Sequence, residues 1–177
     1  MVKKLYKHQR LMLSYSFTEQ HPALFVEMRL GKTLVSLRRM KAYSPRNPGS
    51  GGRKVLVVLP QSAFQGWITD GAEEGWGAVE LVGNRKQKQK ALILGLEMKS
   101  KVGVLFLLNK EGWQALPEIT EIPWDVVVAD ESHFLKNPTA KVTKFYCKNF
   151  RSIPHRWILT GTPCPEGEHE YFSQLCF

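Results

Sequence analysis

The chain predicts an α/β fold, with a mainly parallel sheet and helices on both faces. Three observations lead there. Short apolar runs rich in β-branched residues alternate with helix-length amphipathic stretches, the pattern of βαβ units. One of those runs, Val126-Val127-Val128-Ala129, stops abruptly at the carboxylates Asp130 and Glu131. Another, Ala23-Leu24-Phe25-Val26, leads through a short loop into Gly31-Lys32-Thr33 and an amphipathic stretch.

In chain order, the pattern predicts a helix over 7–17, a strand over 23–27 and a helix over 32–42. Residues 44–53 hold two prolines and three glycines and predict a flexible loop. Strands follow at 54–59, 79–82, 102–108, 124–129 and 156–159. The helices between and after them fall at 63–71, 86–98, 110–116, 139–148 and 168–175. No internal repeat or low-complexity tract interrupts the order.

Composition narrows the class. With 177 residues, 20.2 kDa and 43% hydrophobic content, the chain suits one globular domain, 1–177, with a substantial core. No apolar run is long enough to cross a membrane, and the start shows no signal-peptide pattern. Cys147, Cys164 and Cys176 lack metal-ligand spacing. Their odd number favours a reducing, intracellular setting. A formal charge of +9 and a pI near 9.6 suit a polyanion binder. Arg85, Lys86, Lys88 and Lys90 form one basic cluster, and Lys136, Lys141, Lys144 and Lys148 another. Solvated helix faces are the commoner fate of such runs, so neither cluster is diagnostic alone.

The chemistry concentrates in two segments. An apolar run bounded by charge suits a strand buried on both faces. Asp130 and Glu131 then sit at its carboxyl end, where open α/β sheets bind ligands. Adjacent carboxylates repel, and a divalent cation relieves that repulsion. One acid would hold Mg²⁺ while the other orients or deprotonates a water. A strand that simply ends in a polar turn fits this segment equally well. Strand, Gly-Lys-Thr and helix in that order is a phosphate-binding arrangement. Lys32 would reach the outer phosphates, Thr33 would ligate Mg²⁺, and Gly31 would let the backbone approach. The pattern G-x-x-x-x-G-K-[ST] asks for glycine at position 26, where this chain has Val26. The two segments together form the two-part plan of nucleoside triphosphatases.

With these segments placed, the chain resembles the N-terminal RecA-like lobe of superfamily-two helicases, specifically the Swi/Snf-type DNA translocases. Leu5-Tyr6-Lys7-His8-Gln9 is similar to the family's adenine-reading motif, which makes Gln9 the base-contacting residue. Glu27-Met28-Arg29-Leu30-Gly31-Lys32-Thr33 resembles its nucleotide loop E-M-G-L-G-K-T, departing only at Arg29. Val26 stands where the family usually has an aspartate.

Val57 to Ser62, followed by Trp67, and Leu107-Leu108-Asn109 resemble the DNA-side motifs. The resemblance assigns DNA contacts to Gln61, Ser62 and Asn109; Trp67 by itself favours a core position. Asp130-Glu131-Ser132-His133 with Leu135-Lys136-Asn137 is similar to the acidic box. Leu159-Thr160-Gly161-Thr162-Pro163 is similar to the motif coupling nucleotide state to DNA.

The resemblance implies ATP and Mg²⁺, with Gln9, Arg29, Leu30, Gly31, Lys32 and Thr33 binding the nucleotide. Thr33 and Asp130 would hold the metal, and Lys32, Asp130 and Glu131 would carry the chemistry. His133, Thr160 and Thr162 would couple, with His133 meeting Thr160 and Thr162, or these contacting DNA. It also implies duplex DNA as partner and a second RecA-like lobe, absent from this chain and supplied in cis or in trans. That lobe carries arginines worth roughly 10³–10⁵ in turnover, so the single lobe should hydrolyse ATP poorly. The rival expectations are a free-standing nucleotide- or DNA-binding module without turnover and one half of a split enzyme. The compact size and minimal motif set point to a viral or mobile-element source.

Overall fold

The computed structural model describes residues 3–43, 52–164, 167–168 and 170–177. Most of the loop predicted over 44–53 therefore lies outside the described residues. Six strands form one sheet: β1 (Ala23–Phe25), β2 (Arg53–Val58), β3 (Gly77–Glu80), β4 (Gly103–Leu108), β5 (Val126–Asp130) and β6 (His155–Thr160). Their spatial order is β1-β6-β5-β2-β4-β3, and every pairing is parallel. The helices are α1 (Lys7–Thr18), α2 (Lys32–Met40), α3 (Phe64–Glu73), α4 (Arg85–Glu97), α5 (Lys141–Phe150) and α6 (Glu170–Leu175).

Strand alternation sends successive side chains to opposite faces, which builds two cores on one sheet. Val55, Val57, Leu105, Leu107, Val126 and Val128 pack with Leu37 and Met40 of α2 and with Phe64 and Trp67 of α3. Leu56, Val58, Phe106, Leu108 and Val127 pack on the other face with Leu92 of α4 and with Tyr146 and Phe150 of α5. β2, β4 and β5 are covered on both sides, which explains their unbroken apolar sequences.

The helix predicted over 110–116 is instead a 3-10 turn, Gly112–Gln114, followed by a second one, Pro117–Thr120. Pro117 cannot extend a helix from Gly112, and Trp113 and Leu116 fold onto the core as a compact loop. No described helix is long and apolar enough to cross a membrane.

The parallel topology puts the carboxyl ends of all six strands on one edge of the sheet. The loop 27–31 follows β1, Gln61 follows β2, Asn109 follows β4, Glu131 follows β5, and Thr160 ends β6. Every residue to which the sequence assigned a role at a strand end thus shares that edge.

Candidate functional site

The loop after β1 turns through two left-handed residues, Arg29 at φ 63° and Gly31 at φ 83°. Gly31 caps α2, so the amides of Lys32 and Thr33 open that helix. Val26 is different: its N–H donates to the Thr160 carbonyl at 3.1 Å, continuing the β1–β6 pairing. Extended backbone there needs no glycine, whereas position 29 carries a bulky residue in the conformation that favours one. Lys32 is buried, and its ammonium donates to the carbonyls of Val26 at 2.6 Å and Glu27 at 3.1 Å.

Gln9, on the first turn of α1, is buried against this loop. Its Oε1 accepts from the Tyr6 N–H at 3.0 Å, and its Nε2 donates to the Leu30 carbonyl at 3.3 Å. A Cβ on Gly31 would collide with the Gln9 amide. The side chain to which the resemblance gives adenine contact therefore also braces the loop.

Asp130 closes β5, and Glu131 follows it in the left-handed region at φ 54°, ψ 50°. Both Asp130 oxygens are held. Oδ1 accepts from the Glu131 N–H at 3.0 Å, and Oδ2 accepts from the indole N–H of Trp67 at 2.8 Å. Burial pushes the Asp130 carboxyl above its ordinary range, and the Glu131 charge adds to this. The Trp67 and Glu131 hydrogen bonds and the Lys32 charge pull the other way. A nearby cation would favour the charged form further.

Of the three residues to which the resemblance gives a coupling role, two approach the Glu131 carboxylate. The Thr160 hydroxyl donates to its Oε2 at 3.4 Å, and His133 Nδ1 stands 3.5 Å from the same oxygen. Thr162, exposed, donates its backbone N–H to the Thr160 hydroxyl at 3.1 Å. The sequence left Thr160 and Thr162 to meet either His133 or DNA; here the Glu131 carboxylate is the common neighbour of His133 and Thr160, while Thr162 bonds to Thr160.

A pocket of about 360 Å³ joins the two halves. Met28, Arg29, Gly31, Lys32 and Thr33 line one side, Asp130 and Glu131 the other, and Asp70 of α3 completes the wall. Leu30 lies in the same loop. Among the described residues no group of three or more His, Cys, Asp or Glu could cage a metal. Mg²⁺ retains waters and takes one or two protein ligands beside substrate phosphates, so a hydroxyl and a buried carboxylate on one pocket fit it.

A second pocket, about 180 Å³, lies beyond Glu131 and is lined by Gln61, Asn109, Lys110, Glu131 and His133. Glu131 is therefore a wall of both. Ser62 is exposed on the 3-10 turn beside Gln61.

Sequence reading missed Asp70, Lys110 and the polar role of Trp67. Trp67 and Asp70 are three apart on α3, hence on one face, a spacing that could have flagged them together. Of the first basic cluster, Lys88 is buried and Arg85 pairs with Glu118. In the second, Lys136 pairs with Glu170, while Lys141, Lys144 and Lys148 are exposed along α5.

Comparison with known proteins gives the family and the fold. Residues 6–177 match the family described as the SNF2-related domain. The chain is 30% identical over 154 residues to the probable ATP-dependent DNA helicase CHR12 of Arabidopsis thaliana, covering 85% of this chain and 14% of that protein. It is 28% identical over 194 residues to the human DNA excision repair protein ERCC-6, covering all of this chain and 13% of the relative. The chain thus spans about a seventh of the length of these curated relatives. In fold, it resembles the Sulfolobus solfataricus SWI2/SNF2 ATPase core solved in complex with dsDNA. That match has a TM-score of 0.73 at 17% identity and covers 98% of this chain and 35% of the other. The all-parallel sheet, the site at its carboxyl edge and a family match spanning nearly every residue lead to one conclusion: this chain belongs to the SNF2-related domain family, as an N-terminal, RecA-like lobe.

Proposed function

We propose that this lobe binds MgATP in the larger pocket and, with a second lobe, couples its hydrolysis to movement along duplex DNA inside the cell. The observation that carries the reading is the meeting of Lys32, Thr33, Asp130 and Glu131 around one 360 Å³ pocket at the sheet's carboxyl edge. An ammonium has three donors, and the loop carbonyls take two of Lys32's, leaving one for a phosphate oxygen. The amides opening α2 and the helix dipole favour the same anion. Thr33 and Asp130 would hold Mg²⁺, which when bound neutralises charge developing on the transferred phosphoryl group. Glu131 orients the attacking water and accepts its proton. Gln9 holds the loop and faces the base.

DNA would lie at the second pocket, against Gln61, Ser62 and Asn109. Glu131 lines both pockets, with Thr160 and His133 at its carboxylate, so it would stand between the two ligands and relate one to the other.

The test is ATP binding and turnover by the purified chain, with and without duplex DNA, beside Lys32→Ala and Glu131→Gln. The expected result is Lys32-dependent ATP binding with slow turnover that rises when a second lobe is supplied. ATP binding indifferent to Lys32→Ala would overturn the assignment of the pocket. Fast DNA-stimulated turnover by the single lobe would overturn the need for a second.

A further inference from the structure

Trp67 stands out among the tryptophans by what its N–H meets. Trp124 and Trp157 give theirs to neutral oxygens, the Ile119 carbonyl at 2.7 Å and the Tyr43 hydroxyl at 3.2 Å. Trp67, only 1% exposed, gives its own to the Asp130 carboxylate at 2.8 Å. Burial accounts for the ring, since hydrophobic packing alone would place it there. Burial does not account for an indole N–H aimed at the one carboxylate that ends β5 in the pocket.

We propose that Trp67 is a positioning residue for the metal site: it locks the Asp130 carboxylate in the rotamer that presents its free lone pairs to a Mg²⁺ ion in the larger pocket. Each Asp130 oxygen already accepts one hydrogen bond, from Glu131 N–H and from Trp67, which fixes both the rotation and the tilt of the group. A carboxylate oxygen can accept a second partner, so the lock leaves coordination sites open. Partners that orient a ligand in this way are commonly worth about ten- to a hundred-fold in metal affinity. Trp67 also belongs to α3, which continues directly from the 3-10 turn at Gln61–Ala63 on the rim of the second pocket. One rigid element therefore touches both pockets.

The inference rests on the MgATP reading of that pocket, and the experiment separates the two. ATP binding to the purified chain is titrated with and without MgCl₂ in wild type, Trp67→Phe and Lys32→Ala. Trp67→Phe keeps a buried ring and removes the N–H. The expected result is unchanged metal-free ATP affinity and about a ten-fold rise in the Mg²⁺ concentration that half-saturates the metal-dependent gain. An unchanged Mg²⁺ midpoint in Trp67→Phe would overturn the role given to Trp67 alone. A wild type that binds no ATP, or binds it regardless of Lys32, would overturn the nucleotide reading instead.

A measurement on the intact tryptophan guards against a Trp67→Phe protein that does not fold. In the ¹⁵N–¹H spectrum of wild type, one indole N–H should resonate downfield through its carboxylate bond and move upfield on Asp130→Asn. The same resonance should shift when MgATP, but not metal-free ATP, is added. Indole signals that all ignore Asp130→Asn would overturn the proposal.

Discussion

Arg29 shows how a single side chain can oppose the backbone that it occupies. Its φ of 63° lies where an L-residue other than glycine costs about 1–2 kcal/mol. Glycine would give back about 0.5–1 kcal/mol through its freer unfolded chain. Arg29→Gly should therefore stabilise the fold by roughly 0.5 kcal/mol, whereas Arg29→Ala should not. Urea unfolding of the two variants checks this, and equal midpoints would refute the strain. The family resemblance made the position conspicuous, but only the backbone shows that the arginine sits in the strained conformation while Val26 does not.

Glu74 is a second residue-scale case. Burial tends to raise its pKa, but hydrogen bonds and charge from Arg38 and Lys41, at 2.9 and 2.7 Å, prevail and hold it below the ordinary 4.5. A depressed folded pKa means stability that is present above about pH 4.5 and lost as pH falls through the folded value. Glu74→Gln should cost about 2 kcal/mol at pH 7, less than a fully enclosed pair because Lys41 can turn to water. The gap between wild type and variant should close on acidification below about pH 4.5. A gap independent of pH would contradict the ion-pair account.

At the scale of elements, α4 packs so closely on the sheet that its glycine is a structural requirement. A Cβ on Gly95 would stand 3.0 Å from Phe106 Cζ and 3.0 Å from Val79 Cγ2. Alanine adds about 1 kcal/mol of helix propensity, while overpacking a rigid core costs about 1–3 kcal/mol. Gly95→Ala should lower the thermal midpoint, and a raised midpoint would show that α4 can lift off at little cost. This closeness was not legible in the sequence, which marks Gly95 only as an isolated glycine in a helical pattern. The strands, by contrast, were legible because their two-faced burial leaves unbroken runs such as Val55-Leu56-Val57-Val58, and the parallel order followed from the helices between them. The stretch 110–116 misled because its apolar spacing suits a helix, while Pro117 and the demand of Trp113 and Leu116 for the core favour two tight turns. The residues that gather around the candidate pocket were legible where a distinctive motif names the residue type, as at Lys32, Thr33, Asp130 and Glu131. Trp67, Asp70 and Lys110 escaped because their places at Asp130 and at the two pockets depend on neighbours brought close only by the sheet.

For the whole molecule, the proposed DNA contact raises the question of how a lobe with a formal charge of +9 divides its charge between solubility and that partner. In that proposal the neutral residues Gln61, Ser62 and Asn109 would hydrogen-bond a phosphate without displacing a counterion, fixing register but giving no salt dependence. Among the described residues that line the second pocket, Lys110, exposed beside Gln61 and Asn109, is the lysine that would displace a counterion. Its ion pair with Glu111 is loose, at 3.6 Å with both side chains about half exposed, and offers little competition. Lys141, Lys144 and Lys148 line α5, away from that pocket's described lining. Removing one cation that neutralises a phosphate should flatten the plot of log affinity against log salt by about 0.9. Lys110→Ala should therefore reduce the slope for a short duplex by about one. Asn109→Ala should weaken binding equally at all salt concentrations, and a triple alanine substitution on α5 should leave the slope near that of wild type. The opposite pattern, a slope that falls with the α5 lysines and ignores Lys110, would move the DNA path off the carboxyl edge and onto the helix face. Glu131 would then be left as a wall between a nucleotide and an empty cleft, and the link that it makes between the two pockets would carry no signal from DNA.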